Sequence, residues 1–255
     1  MRMMIKGKIS EMSAAEVVAA KAAANEIMAY FLVRECEFYS RVGIDMSRAY
    51  QRVLDSGEIP HYSKGNIDME VETSFGKIET IGNAYRTDFD LTQHAKVSGK
   101  DMSVHVEGRK IVPHVFEVSM GVDRLFFAIL EHCFREKSGE KDWEWFAFPP
   151  EIAPYHVAVF PLIKKDGLDE RAREIADSLR RNGIDVDYRE SGSIGRRYAR
   201  ADEIGIPYAI TIDYETKEKE TVTLRYRNDG KQERIKINEL ESKVKENIKK
   251  GRVVL

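Results

Sequence analysis

The sequence predicts a chain in two halves: an α+β portion, built as an antiparallel sheet with helices, and then an α/β domain with a mixed sheet. Three observations predict it. From Ile67 the period changes, with Met69, Val71 and Thr73 alternating with acidic residues at period two. Beyond residue 150, helical and strand periods alternate down to the C-terminus. Between these regions, the stretch Phe148-Pro149-Pro150-Glu151-Ile152-Ala153-Pro154 is dense in proline and breaks both periods. The predicted halves are residues 1–150 and 151–255.

From Ser13 the chain reads as helix. Ser13 is a capping residue and Glu16 stands three positions on, the spacing of a capping box. Alanine-rich sequence favours the helix that follows. Ile27, Phe31, Cys36 and Phe38 roughly keep the helical period, and Gly43 is a stop. From Ile67, Met69, Val71 and Thr73 alternate with Asp68, Glu70 and Glu72. Ser74-Phe75-Gly76-Lys77 is a turn, and Ile78–Gly82 is the returning strand of a hairpin. A third strand is predicted at Val112–Ser119. A helix follows at once, with Val122, Leu125, Phe126, Ile129, Leu130 and Phe134 as its apolar face. In the second half, Val157–Phe160 is a short buried strand, and Leu168–Asn182 is an amphipathic helix stopped by Gly183. Then come a strand at Ile184–Tyr188, a basic helix at Ile194–Ile204 and a strand at Tyr208–Ile212. The hairpin Glu220–Tyr226 and Arg234–Ile237 turns at Asn228-Asp229-Gly230, before a charged helix at Asn238–Lys250.

Composition excludes several function classes. Lys+Arg number 41 against 43 Asp+Glu, so a polycation that coats nucleic acid is ruled out and any such contact must come from a local patch. The densest patch is Arg196-Arg197-Tyr198-Ala199-Arg200. The two cysteines, Cys36 and Cys133, form no CxxC pair, which argues against structural zinc or a disulfide framework and suits a reducing compartment. No apolar run reaches the roughly 18 residues of a membrane helix, and the first residues lack the apolar core of a signal peptide. The expectation is a cytoplasmic protein that makes no membrane contact.

Candidate chemistry gathers at three places. Glu117 and Ser119 lie two apart on a strand and so share a face; Gly121 bends the chain into a helix whose first turn carries Arg124. An arginine is out of place there on dipole grounds and suggests a ligand. An ordinary strand–helix joint with a solvent-facing arginine fits the same spacing. Glu79, among apolar neighbours on its strand, could hold a divalent cation or an ammonium; Arg86, Asp88 and Asp90 follow it, as they would in an exposed, salt-bridged loop. Arg196 and Arg200 are four apart on one helix face, suited to phosphates, with Tyr198 able to stack a base. A solvated basic helix partly neutralised by Asp202 and Glu203 accounts for that segment equally well. The histidines show no metal-ligand spacing.

Taken in order, HYSKG (61–65), KIETIGNAYRTDFDL (77–91), FEVSMGVDR (116–124), APYHVAVFPL (153–162) and GSIGRRYARADEIGIPYAITID (192–213) resemble glycyl-tRNA synthetases of the dimeric class II type. The resemblance runs from about Asn25 to the C-terminus. It implies a class II catalytic core over 1–150 and an anticodon-binding α/β domain over 151–255. By the match to motif 3, Arg124 stacks on the adenine of ATP and faces its phosphates, with Gly121 beside the nucleotide. Glu117 and Ser119 line the glycine pocket, and Arg86 lies near the glycine carboxylate. Glu79 matches the acidic strand residue that holds ATP-bound Mg2+. The 192–202 stretch matches the signature region of the anticodon domain, which assigns Arg196, Arg197, Tyr198 and Arg200 to tRNA.

The implied activity is glycine–tRNA ligation through a glycyl-adenylate, with ATP and Mg2+. The implied partners are tRNA-Gly, glycine and ATP. Motif 1, a dimer-forming helix and strand, and motif 2, a strand pair carrying an ATP-phosphate arginine, belong before the matched region, and neither is found. Met1–Ala24 looks like the segment that follows motif 2. The core is therefore expected to be incomplete and the chain inactive alone: the C-terminal part of a synthetase, either a fragment or one piece of a split enzyme whose N-terminal portion is a separate chain, with a homodimer as a further expected partner. The alternative is a non-catalytic relative that binds tRNA or a partner protein.

Overall fold

A computed structural model of the chain describes residues 1–139 and 141–251, and they form a mixed α/β structure with several sheets. They divide into two compact units. The first comprises Met1–Ser40 and Ile44–His132; the second comprises Arg41–Gly43 and the described residues from Cys133 onward.

The first unit contains β1 (Arg2–Ile5), β2 (Lys8–Glu11), α1 (Ala14–Ala19), α2 (Glu26–Arg41, whose last residue counts with the second unit), β3 (Ala49–Val53), β4 (Asn66–Thr73), β5 (Gly76–Thr87), α3 (Phe89–Ser98), β6 (Val104–Val106), β7 (Arg109–Ile111), β8 (Val115–Met120) and α4 (Val122–Cys133, its last residue likewise in the second unit). Its main sheet has six strands in the order β2-β1-β3-β4-β5-β8. Apart from the parallel pair β1–β3, its strands are antiparallel. The predicted hairpin is β4–β5, with Ile67, Met69 and Val71 buried at alternate positions.

The helical start differs from the expectation. Ser13 and Glu16 do form a capping box, but α1 ends at Ala19, and Lys21 takes a positive φ of 54°. The chain restarts at α2, where the Asn25 side chain accepts the Met28 N–H at 2.9 Å. A capping asparagine thus overrides alanine propensity. The buried stripe of α2 is Met28, Leu32, Glu35 and Tyr39, while Ile27 is 61% exposed and Phe31 and Phe38 face outward too. The same offset appears on α4, where Leu125, Ala128 and His132 are buried and Val122 and Phe126 are exposed. The hairpin β1–β2 was not foreseen; it turns at Lys6-Gly7, both at positive φ.

A polar tier lies between α2 and the sheet. Asn83 Nδ2 donates to Glu35 Oε2 at 3.2 Å, and Gln51 Nε2 donates to Leu32 O at 2.8 Å. Burial pushes the Glu35 carboxyl up to about 7. Tyr39 and Thr80 share a hydrogen bond of 2.5 Å, and the Thr80 hydroxyl also donates to Met69 O at 3.0 Å. Thr80 is the extra residue of a β-bulge: Met69 pairs with Ile81 and Glu70 with Glu79. Thr80 and Ile81 are both buried, so the alternation flips there, and Glu79, Gly82, Ala84 and Arg86 share the opposite face of β5.

The second unit contains β9 (Phe134–Arg135), β10 (Trp145–Phe146), β11 (Val157–Pro161), α5 (Leu168–Arg181), β12 (Val186–Tyr188), α6 (Ile194–Glu203), β13 (Tyr208–Ile212), α7 (Tyr214–Lys219), β14 (Thr221–Tyr226), β15 (Gln232–Lys236) and α8 (Ile237–Lys249). The five-stranded sheet runs β12-β11-β13-β14-β15, with the first three strands parallel and the rest antiparallel, the mixed sheet expected. α5 and α8 cover one face, through Ala172, Ile175, Leu179, Leu240 and Val244. α6 covers the other, where Ala201 packs with Ala158, Phe160 and Ala209.

Cys133–Pro150 groups with this unit because its aromatic residues pack there. Phe146 and Phe148 stack at 4.9 Å, and a Cβ at Gly205 would stand 2.3 Å from the Phe148 ring, so only glycine fits. Among the described residues no helix is long and apolar enough to cross a membrane.

Candidate active site and nucleic-acid interface

The face of the main sheet opposite α2 carries the charged residues. Across β5 and β8, Gly82 pairs with Ser119 and Ala84 with Glu117, and cross-strand partners share a face. The structure therefore brings Arg86, Glu117 and Ser119 together. Arg86 Nη1 donates to Glu117 Oε2 at 2.6 Å. Its Nε and Nη2 donate to the two oxygens of Asp90, at 2.5 and 2.9 Å. The guanidinium also stacks on Tyr62, 4.1 Å from the ring centroid. Ser119 Oγ donates to Glu117 Oε1 at 2.6 Å. The Ser119 hydroxyl, aided by Arg86, holds the Glu117 carboxyl below its ordinary range, and Asp90 together with Glu117 raises the guanidinium of Arg86. At neutral pH this is a fully ionised cluster, fixed in orientation and open on one side.

The second pair lies at the strand–helix junction. Gly121 N–H donates to Thr80 O at 2.9 Å, which ends β8 beside the bulge and starts α4. Arg124, in the first turn, reaches back and donates to Glu79 O at 3.0 Å, with the Glu79 carboxylate 3.9 Å away. Both side chains are largely exposed, at 60% and 51%. Glu79 supplies one carboxylate. Among the described residues no group of three or more His, Cys, Asp or Glu could hold a metal ion. A single carboxylate offers too few donors to hold a divalent cation by itself.

Asp68 was missed as a site residue. It is 8% exposed, pairs with Gly82 from the β4 side, and has Arg52 at 4.0 Å. Burial, with the charge of Glu79 beside it, pushes its carboxyl up to about 6. A signal was present: the period of β4 puts Asp68 and Glu70 opposite the buried Ile67, Met69 and Val71. Asp90 and Tyr62, which fix Arg86, were visible only as neighbours in sequence.

In the second unit the arginine patch separates into two kinds. Arg196 and Arg200 are exposed, and no carboxylate among the described residues pairs with them. Arg197 is 2% exposed. Its guanidinium donates to Pro161 O (2.6 Å), Leu162 O (3.2 Å) and Arg189 O (3.3 Å), tying α6 to the ends of β11 and β12. The Tyr198 hydroxyl is bonded to Thr211 Oγ1 at 2.6 Å, and its ring is sandwiched between Phe160 and Arg225. This corrects the reading of Arg197 as a nucleic-acid contact, since it is spent on holding the domain together; Tyr198 is half-buried, with its hydroxyl bonded inside the domain. Asp202 is buried rather than solvated. It accepts from Arg225 at 2.8 and 3.0 Å and pairs with Lys141 at 2.9 Å.

Residues 156–247 match the model of the anticodon binding domain. The chain is similar to a glycine–tRNA ligase of Methanocaldococcus jannaschii, 32% identical, with 95% of this chain and 56% of the relative covered. It is 40% identical to a glycine–tRNA ligase of Treponema denticola, over 86% of this chain and 51% of the relative. Against a glycine–tRNA ligase of Clostridium kluyveri it is 43% identical, over 83% and 46%. The chain spans about half the length of the curated relatives it matches. It is a homologue of the glycine–tRNA ligases and carries an anticodon-binding domain.

Proposed function

We propose that the chain is the C-terminal part of a glycine–tRNA ligase. Residues 1–150 supply part of a class II catalytic domain, and 151–255 supply the anticodon-binding domain. The observation that carries this reading is the Arg86–Glu117–Ser119 cluster, on the same open sheet face as Arg124 and Glu79. Glycine offers only an ammonium and a carboxylate for recognition. Glu117 is an ionised acceptor for the first, and Arg86 is a fixed fork of donors for the second. Ser119 and Asp90 keep both from rotating away.

In the reaction a glycine carboxylate oxygen attacks the α-phosphorus of ATP. The bond to the β-phosphate oxygen breaks, and pyrophosphate leaves. Positioning and charge neutralisation lower this barrier. Arg124 places its guanidinium where an adenine can stack and phosphates can be met. Mg2+ carried by ATP neutralises phosphate charge when bound, and Glu79 is the carboxylate to hold it. Further ATP contacts are proposed to come from N-terminal synthetase residues, on a separate chain, or from the second copy of a homodimer.

ATP–pyrophosphate exchange with glycine tests the proposal. The chain alone is expected to give little or none, and exchange is expected to appear on adding the N-terminal part of a relative. Robust exchange by this chain alone would refute the dependence on a partner. No exchange in the mixture, together with no binding of glycine or ATP, would refute the synthetase reading. The tRNA contact is a separate prediction. Arg196→Ala with Arg200→Ala is expected to weaken binding of tRNA-Gly and to reduce the slope of log affinity against log salt by roughly one to two. An unchanged slope in filter binding would remove both from the interface.

A further inference from the structure

Three buried oxygens between α2 and the main sheet accept nothing. Glu35 Oε1, Gln51 Oε1 and Asn83 Oδ1 have no hydrogen-bond partner among the described residues. Glu35 is 6% exposed, and Gln51 and Asn83 are fully buried. The three side chains converge. Asn83 Nδ2 and Gln51 Nε2 reach Glu35 Oε2 at 3.2 and 3.5 Å, and each amide oxygen shares a carbon with one of these nitrogens. Native interiors leave few polar atoms unpaired, so several acceptors gathered around one carboxyl point to a missing donor.

No cation balances Glu35. Cross-strand partners share a face, so the register names its surroundings. Met3 on β1 and Met69 on β4 flank Gln51, while Ile67 on β4 and Val118 on β8 flank Asn83. All four are apolar, as is Val17, which α1 adds to the same core. On α2 itself the titratable neighbours are Cys36 and Tyr39, which burial pushes up and so keeps neutral, and Arg34 pairs with Glu37 at the surface. No arginine, lysine or histidine among the described residues bears on the ionisation of Glu35. A lone carboxylate in an apolar interior takes up a proton rather than stay charged. That proton removes the charge and turns Oε1 into a donor, which either amide oxygen can accept after a small turn of its amide. We propose that Glu35 is a pH-sensitive clasp: as a neutral acid it ties α2 to Gln51 on β3 and Asn83 on β5, and its ionisation loosens α2 from the sheet. Asn83 stands between Gly82 and Ala84, so the clasp steadies the strand that carries Glu79 and Arg86 on its other face. Burial moves the Glu35 carboxyl from an ordinary 4.5 up to about 7. The folded chain keeps the proton over that interval and the opened chain releases it. The clasp is therefore fully effective below about pH 4.5 and is lost as pH rises through about 7.

The test is hydrogen exchange of the α2 amides in the full chain, with wild type and Glu35→Gln compared at equal pH. Glutamine supplies a permanent donor and no charge. The ratio of exchange rates, wild type over variant, is expected to rise by at least about tenfold between pH 5 and pH 8. A ratio that stays constant over that range would overturn the proposal. So would a ratio that responds to sodium and not to pH, because a cation would then stand in the proton's place. Should Glu35→Gln fail to fold, infrared spectra of the wild type carrying δ-13C-labelled glutamate take over the test. A band of a protonated, buried carboxyl at pH 6 that vanishes by pH 9 supports the clasp. A band absent at pH 6, or unchanged at pH 9, overturns it.

Discussion

Asp202→Ala is expected to lower the stability of the second unit by about 3–5 kcal/mol, the usual cost of removing one partner from a buried ion pair. Asp202 is 1% exposed and serves two cations at once. Arg225 donates to both of its oxygens, and Lys141 Nζ lies 2.9 Å away. Both cations are largely buried. The Arg225 side chain is 8% exposed and that of Lys141 is 10%. Burial pulls the Lys141 ammonium below its ordinary range, and the charge of Asp202 works against that shift. Without Asp202, a guanidinium stacked against Tyr198 and an ammonium lying 3.8 Å over Trp145 would both remain in place uncompensated. Both tryptophans of the chain, Trp143 and Trp145, belong to this unit, so urea unfolding followed by tryptophan fluorescence reports on it alone. A loss below about 1 kcal/mol would place the pair in the class of surface salt bridges and show that the cations escape to solvent.

The same residue shows where sequence reasoning stops. Asp202 and Glu203 read as surface neutralisers of a basic helix, because the segment from Arg196 to Glu203 is charged all round. Periodicity tells that a helix exists; it does not tell which stripe is buried when the buried stripe includes Arg197 and Asp202. Their partners, Pro161 O and Arg225, lie far off along the chain. The error on α2 has the same origin: its two apolar stripes are offset by about 100°, and the sheet chose the one with Met28, Leu32 and Tyr39. What was legible rests on local rules. The period of β4, the turn before Gly76, the capping box at Ser13 and the glycine stop at Gly183 each depend on a few adjacent residues. The bulge at Thr80 depends on register against β4 and on Tyr39, so no local pattern announces it. Asp68 shows the limit in part: the period of β4 sets it on the charged face, but only strand pairing brings it beside Gly82 and Glu79.

On the ligase reading proposed above, Arg86→Ala is expected to weaken glycyl-sulfamoyl adenosine, a stable analogue of the adenylate, by at least about 30-fold, from the 2 kcal/mol or more that truncating one partner of a hydrogen-bonded charge pair typically costs at an interface. Every hydrogen-bonding nitrogen of Arg86 is oriented: Nε and Nη2 by Asp90, Nη1 by Glu117. The plane of the guanidinium is set by Tyr62 beneath it. Two carboxylates against one arginine leave the cluster one negative charge in excess, which is the charge an ammonium brings to balance. Removing the arginine leaves Glu117 and Asp90 facing each other across the gap, so the residual site repels the ligand's own carboxylate. The fold should survive, because both carboxylates retain access to water, with side-chain exposures of 38% for Glu117 and 21% for Asp90. Arg86→Lys separates charge from geometry. It restores the cation but not the fork, since an ammonium cannot donate in one plane to Asp90 and Glu117 while presenting further donors to a substrate. It is therefore expected to recover the melting temperature of wild type while recovering little of the affinity. Full recovery of affinity by lysine would show that only net charge matters here, and the orienting contacts of Asp90 and Tyr62 would lose their assigned purpose.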